Sequence, residues 1–333
     1  MPSSATWWLV VYSTTGALQP LLVDDLRHRG LAPKRLLGPM LANCVGMALV
    51  APAREAFAPR GGGSWAGAAR GAWRTVAVAV VLDFGSATLL CLALLSCGAA
   101  AFTLVYSSCA LIVACLGTCA GARLRAEQWV AVVLATAGIV SYELAGSDGS
   151  AGSRGGLALA LLGSLGHGAM FVYAEHALKA CAKDGLTPFR LSSLMGAAEA
   201  AALAAYVALV VARSGAPVDP RAALAYAPLV LVDCAHALSF FATLGDRGAV
   251  SASMLKGVQV LVVFSASAVL SCDPPARVAG CASPAKAGAV AAVVAALALF
   301  HGRDPPKLHR ADSPPAPPSP PASPRRGTLR CDC

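Results

Sequence analysis

Charged residues are scarce in this sequence. They make up 13% of its 333 residues, against about 25% in soluble domains, while hydrophobic residues make up 57%, against roughly 45 to 50%. This composition does not fit a water-soluble fold. Apolar stretches of about 17 to 25 residues, the length that crosses a bilayer, recur between short charged or Gly/Pro-rich joints. The sequence therefore predicts an all-α polytopic membrane protein.

Signatures of catalysis and of metal binding are also missing. The six histidines are scattered, no serine lies in a nucleophile elbow, no glycine-rich loop has the P-loop pattern, and no cysteine pair has zinc-site spacing with histidines. The net charge of +9 comes from bases scattered over loops and the tail. We therefore expect neither an enzyme, nor a metal or organic cofactor, nor a nucleic-acid partner.

Ten apolar segments define the predicted topology. An even number of spans places both termini on one side of the bilayer, which we expect to be the cytosol because more Lys and Arg residues then lie inside. The chain divides into a first five-helix half (1–146), a second (147–302) and a disordered, Pro/Ser-rich cytosolic tail (303–333). The expected spans are 6–23, 36–53, 74–95, 98–119, 127–146, 155–178, 189–212, 223–244, 248–271 and 284–301.

An internal repeat relates the two halves at an offset of 150 residues. Asp83 lies over Asp233 and Gly98 over Gly248 in this alignment. Because five is an odd number of spans, the second copy must enter the membrane inverted. Inverted repeats place a substrate site at their interface and alternate access by rocking around it. The repeat therefore points to a secondary transporter.

Lys256 lies inside an apolar run. It is about 12 Å along the ninth span, near the middle of a hydrocarbon core of roughly 30 Å. A lysine at that depth costs about 2.5 to 3.5 kcal/mol on insertion scales and normally faces a water-filled cavity or a counter-charge. A phosphate-bearing substrate would supply that charge. The alternatives are a structural ion pair with Asp83 or Asp233, which makes both aspartates site candidates, and snorkelling to the interface.

Two further polar pairs follow from the repeat. Tyr106 is equivalent to Lys256, and Thr103 is equivalent to Ser253. Both pairs are candidates for one central cavity. Tyr106 offers a ring that stacks on a base and a hydroxyl for a ribose or phosphate oxygen. The alternative is a core tyrosine bonded to a backbone carbonyl.

The sixth span ends in the sequence FVYAEHALKA. Glu175 and Lys179 lie four residues apart in the favourable order for an ion pair. We interpret this pair as structural. The joint between the ninth and tenth spans contains Cys272 and Cys281, and whether these two pair remains open.

Three segments resemble the nucleotide-sugar transporter family of the drug/metabolite transporter superfamily, particularly the branch that carries CMP-sialic acid and UDP-galactose. In the sixth span the likeness is a Tyr-x-Glu-x-x-x-Lys pattern that begins at Tyr173. In the ninth it is an apolar-Lys-Gly step at Lys256. In the fourth and fifth spans the matching features are the spacing of Phe102 and Tyr106, the pair Gln128-Trp129, and Gly138.

The resemblance implies a ten-helix antiporter of Golgi or endoplasmic reticulum membranes that exchanges a cytosolic nucleotide sugar for a lumenal nucleoside monophosphate. It also implies that Lys256 contacts phosphate. We expect the base or ribose to lie near Tyr106 and Tyr173, and the sequence does not decide whether the protein forms a homodimer. Cys109 stands where the family usually has a second lysine, three residues after the tyrosine. An EamA-like carrier of another small metabolite, or a transport-inactive membrane interaction protein, are therefore the alternatives.

Overall fold

The computed structural model describes residues 4–33, 37–57, 65–144, 154–182, 185–214, 220–259, 262–263 and 284–301. These ranges are predominantly helical and contain no strand, so the all-α prediction is confirmed for the described part of the chain. The predicted tail at 303–333 and the joint with Cys272 and Cys281 lie outside the described residues.

Twelve helices lie within these ranges. In the first half they are α1 Ser4–His28, α2 Gly38–Ala48, α3 Val50–Phe57, α4 Trp65–Ser107, α5 Cys109–Cys119 and α6 Ala126–Leu144. In the second half they are α7 Arg154–Ala180, α8 Pro188–Ser214, α9 Pro220–Ala225, α10 Ala227–Arg247, α11 Ala249–Met254 and α12 Pro284–His301. A further helical turn at 256–259 follows α11.

Four of the described segments are long and apolar enough to cross a membrane, which is the signature of an all-α integral membrane protein. Two shorter apolar helices accompany them, at Cys109–Cys119 and Ala287–Phe300. The four longer segments are Gly71–Cys97, Arg154–Ala180, Pro188–Arg213 and Ala223–Arg247.

The expected span at 36–53 is divided into two helices, because α2 ends at Ala48 and α3 begins at Val50. Proline has no N–H to donate to the carbonyl four residues earlier, so Pro52 leaves Ala48 without its helical partner. The helical ladder is therefore interrupted at Leu49, immediately after Ala48.

The expected spans 74–95 and 98–119 are separated at residues 96–97. This separation is wrong, because α4 continues through these residues and is helical over 43 residues. The helix nevertheless does not run straight. Asp83 and Tyr106 both contact His167, with Asp83 Oδ1 3.4 Å from Nδ1 and the two ring centroids 5.6 Å apart. In a straight helix their Cα atoms would be about 35 Å apart, so the chain must double back between them. Its first arm pairs with α7 up to Cys97, which packs on Gly156.

Small residues let the helices approach closely, as the glycine content of the sequence predicts. Along α7, Gly163 packs on Leu90 and Gly166 on Ser86. Gly46 of α2 packs on the backbone of α10 around Asp233. A Cβ atom on Gly196 of α8 would lie 2.5 Å from the backbone nitrogen of Ala48. The contact of α8 with α2 therefore requires a residue without a side chain.

Replacing Gly196 with alanine should lower the thermal unfolding midpoint in detergent, measured by tryptophan fluorescence. Alanine usually stabilises a helix interior by about 0.5 to 1 kcal/mol relative to glycine, but overpacking here costs about 1 to 3 kcal/mol. The matched control is Gly85→Ala, because nothing lies within 4 Å of a Cβ atom there. Equal midpoints for the two variants would contradict the close approach of α2 and α8.

Candidate functional site

A cavity of about 210 Å³ lies between α1, α2, α4, α7, α10 and the helical turn at 256–259. We call it the central cavity. Its wall is mostly apolar but carries several polar side chains. The titratable ones are Asp83, Cys91, Tyr106, His167, Asp233, His236 and Lys256. The amide-bearing ones are Gln19, Asn43 and Gln259.

Lys256 is buried in the wall of the central cavity, with 4% of its surface exposed. Its ammonium group donates a hydrogen bond to the Tyr106 hydroxyl at 2.5 Å and lies 4.2 Å from the centroid of that ring. The Phe171 ring centroid is 5.3 Å away. Among the described residues, no carboxylate lies within 4 Å of this ammonium group. Aromatic faces and a hydroxyl therefore stabilise the charge.

The start of α11 positions Lys256. Gly248 precedes this helix with φ 83° and ψ 172°, a backbone conformation that is essentially restricted to glycine. Glu175 of α7 accepts a hydrogen bond from the backbone N–H of Ala249 at 2.7 Å, which satisfies a free donor of the first turn. Lys179 donates to the other carboxylate oxygen at 2.5 Å. The interpretation of Glu175 and Lys179 as a structural pair is confirmed.

Two buried aspartates lie in the same cavity. Asp83 is 3% exposed, and its Oδ1 atom is 3.4 Å from Nδ1 of His167. Asp233 is 2% exposed, and its Oδ1 atom accepts a hydrogen bond from Nε2 of Gln19 at 2.5 Å. Neither forms an ion pair with an arginine or lysine within the described part of the chain. Both carboxylates are therefore held by neutral or titratable partners.

Aromatic rings form a continuous row beside the ammonium group. Phe102 stacks on Tyr106 with centroids 5.2 Å apart. His167 lies 5.6 Å from Tyr106 and 4.7 Å from Phe171, and Phe171 lies 4.5 Å from Phe240. Offset and tilted pairs at such distances stabilise one another. The row offers flat apolar faces on which a planar ligand group can stack.

The structure brings four of the sequence-predicted site residues together, since Lys256, Tyr106, Asp83 and Asp233 all line the central cavity. Other predicted residues have different places. Tyr173 donates its hydroxyl to the Thr75 carbonyl at 3.3 Å and is not among the lining residues. Ser253 is fully buried and donates to the Val250 carbonyl. The side chain of Thr103 lies outside the described residues.

Sequence reasoning missed Gln19, His167, His236 and Gln259 as members of the site. Each is an isolated polar residue within an apolar helix, and that isolation is a signal that could have identified them. The sequence does not indicate which residues these polar side chains contact. The Oγ1 atom of Thr15, for example, lies 3.2 Å from Nδ1 of His236, although the two residues are 221 positions apart in the chain.

A proline in α1 adds a local irregularity to the cavity wall. Pro20 has no N–H for the carbonyl of Gly16. Gly16 packs directly against the amide of Gln259, whose Nε2 atom donates to the Tyr12 carbonyl at 3.0 Å. The α1 backbone therefore contacts the turn at 256–259 at the point where Pro20 interrupts the backbone hydrogen bonds of α1.

Comparison with known proteins places the fold but not a family. No family model and no curated protein matches the chain. One solved structure, described only as a crystal structure of a protein, is similar with a TM-score of 0.62 and 20% sequence identity. The match covers 90% of this chain and 96% of that chain. At this identity the similarity shows a shared fold alone.

Replacing Glu175 with alanine should destabilise the protein more than replacing Lys179 with alanine. The first change removes a buried acceptor from the start of α11, at a cost of about 1 to 3 kcal/mol. The second removes a partner whose side chain is 53% exposed, and such pairs contribute about 0 to 1 kcal/mol. Unfolding midpoints in detergent measure the difference. Equal losses would mean that Glu175 acts only through its ion pair.

Proposed function

We propose that this protein is a secondary transporter that carries an anionic nucleotide sugar through the central cavity. The observation that carries the proposal is the Lys256 ammonium group, which is buried in the cavity wall without a carboxylate within 4 Å among the described residues. A lysine inside a membrane protein is costly unless a counter-charge visits it. A substrate phosphate would provide that charge, and the Tyr106 and Phe102 rings would face the base.

The proposal includes a transport cycle built on two inverted five-helix halves. Tyr106 and Lys256, which are equivalent in the repeat, are in direct contact, as residues close to a pseudo-two-fold axis would be. Equivalent helix pairs also make similar contacts: α7 pairs with α4 through His167 and Asp83, and α1 pairs with α10 through Gln19 and Asp233. Rocking of the halves would open the cavity to each side in turn.

The setting follows from the same hypothesis. The protein would lie in a Golgi or endoplasmic reticulum membrane with both termini in the cytosol. A nucleotide sugar would enter from the cytosol, and a nucleoside monophosphate would return from the lumen. The exchange would make and break no covalent bond in the cargo. The proposed cycle gives no role to a metal or an organic cofactor.

A second candidate function is transport of a smaller metabolite. The central cavity measures about 210 Å³, whereas sites for drug-sized ligands span about 300 to 1,000 Å³. A nucleotide sugar would require the cavity to widen during the cycle, while a smaller cargo would not. This observation favours an EamA-like carrier as the alternative.

Replacing Lys256 with methionine should lower nucleotide-sugar exchange in proteoliposomes at least tenfold, because the phosphate loses its counter-charge and tenfold corresponds to about 1.4 kcal/mol. The measurement is uptake of labelled UDP-galactose or CMP-sialic acid into vesicles loaded with the matching monophosphate. The matched control is Lys179→Met, since that lysine is outside the cavity wall.

Unchanged exchange by the Lys256→Met variant would contradict the assigned role of the ammonium group. Folded wild-type protein that takes up no nucleotide sugar would contradict the cargo class. Uptake of another small metabolite in the same vesicles would then favour the second candidate. Absence of any uptake would favour a transport-inactive interaction protein.

A further inference from the structure

The charges of the central cavity do not suit an anionic cargo as they stand. Among the residues that line it, two carboxylates, Asp83 and Asp233, oppose the single ammonium group of Lys256. Electrostatic interactions are stronger in an apolar interior than in water. A nucleotide sugar that brings further negative charge would therefore be repelled if both carboxylates stayed ionised. This point rests on the proposed function.

The two aspartates have different partners. Asp83 faces the imidazole of His167, and the Oδ1 atom of Asp233 faces the amide of Gln19. The Oδ2 atom of Asp233 has no hydrogen-bond partner among the described residues. A buried carboxylate without a cationic partner is costly, and it reduces that cost by binding a proton. Asp233 therefore has the surroundings of a proton-binding group.

A third carboxylate lies close behind the cavity wall. Glu199 of α8 is fully buried, and one of its oxygens is 3.7 Å from the Cys44 thiol. Its other oxygen has no partner within the described ranges. A further acidic side chain therefore lies behind the wall that carries the two aspartates.

We propose that Asp233 binds a proton together with the anionic cargo, so that this protein moves a proton with its substrate. The ionised carboxylate takes one proton from the side to which the cavity is open and becomes a neutral acid. The negative charge that would repel the phosphate at this position is then absent, and Lys256 attracts the phosphate. The carboxylic acid releases its proton after the cargo leaves on the other side.

Several groups surround the Asp233 carboxylate and enter its proton equilibrium. Gln19 of α1 donates to its Oδ1 atom, and Gly46 of α2 packs on its Cβ atom. Cys234 is adjacent on α10, and His236 is one turn along the same helix. The other titratable groups that line the cavity are Asp83, Cys91, Tyr106, His167 and Lys256.

The test measures proton uptake when the full chain binds UDP-galactose. Calorimetry in two buffers of different ionisation enthalpy should give about one proton taken up per ligand near pH 7, and affinity should fall by up to about tenfold per pH unit as the pH rises. Asp233→Asn should abolish this uptake. The control is Asp246→Asn, an exposed aspartate on α10.

Binding without proton uptake by the wild type would overturn the proposal. Uptake that persists in Asp233→Asn would overturn the assignment to the Asp233 carboxylate. Infrared difference spectra of the cargo-free protein, which detect protonated carboxyl groups, provide a second measurement. If UDP-galactose and CMP-sialic acid do not bind but a carboxyl band titrates and vanishes in Asp233→Asn, the nucleotide-sugar function fails while the proton site stands. If this band is absent, the proton site fails.

Discussion

The constraint on which the cavity depends is an ammonium group held away from water inside a helical membrane protein. The Tyr106 hydroxyl and the aromatic rings of Tyr106 and Phe171 stabilise the charge of Lys256. Aromatic faces stabilise a cation less strongly than a bonded carboxylate does in an apolar interior. The charge of Lys256 is therefore tolerated without a bonded carboxylate. Under the proposed function, this leaves the ammonium group available to a phosphate group.

The fold holds this arrangement by close helix contacts. The doubling back of α4 brings Tyr106 to the same His167 side chain of α7 that Asp83 contacts, and glycines along α7 let that helix approach the first arm of α4. Glu175 fixes the first turn of α11, so the chain reaches Lys256 from a defined start. Residues outside the wall of the central cavity therefore help to decide where the ammonium group lies.

Under the proposed function, the balance of charge would link transport to a proton. Two aspartates in the cavity wall and a buried glutamate behind it outnumber the one lysine among these groups. An anionic cargo and an ionised carboxylate would repel each other, whereas a neutral carboxylic acid would not. The Asp233 carboxylate, which would oppose a phosphate when ionised, would then carry a proton beside it.

By itself, the sequence determined the all-α membrane class and the approximate positions of most helices, because the length and spacing of apolar runs are local properties. It also singled out Lys256, Tyr106, Asp83 and Asp233, because a polar group in an apolar run needs a partner wherever the helix packs. Only the tertiary structure decided which partners those are. The cation–aromatic contact in place of an ion pair, the position of Tyr173 away from the cavity and the pairing of distant helices depend on contacts between residues remote in the chain, and local composition does not encode such contacts.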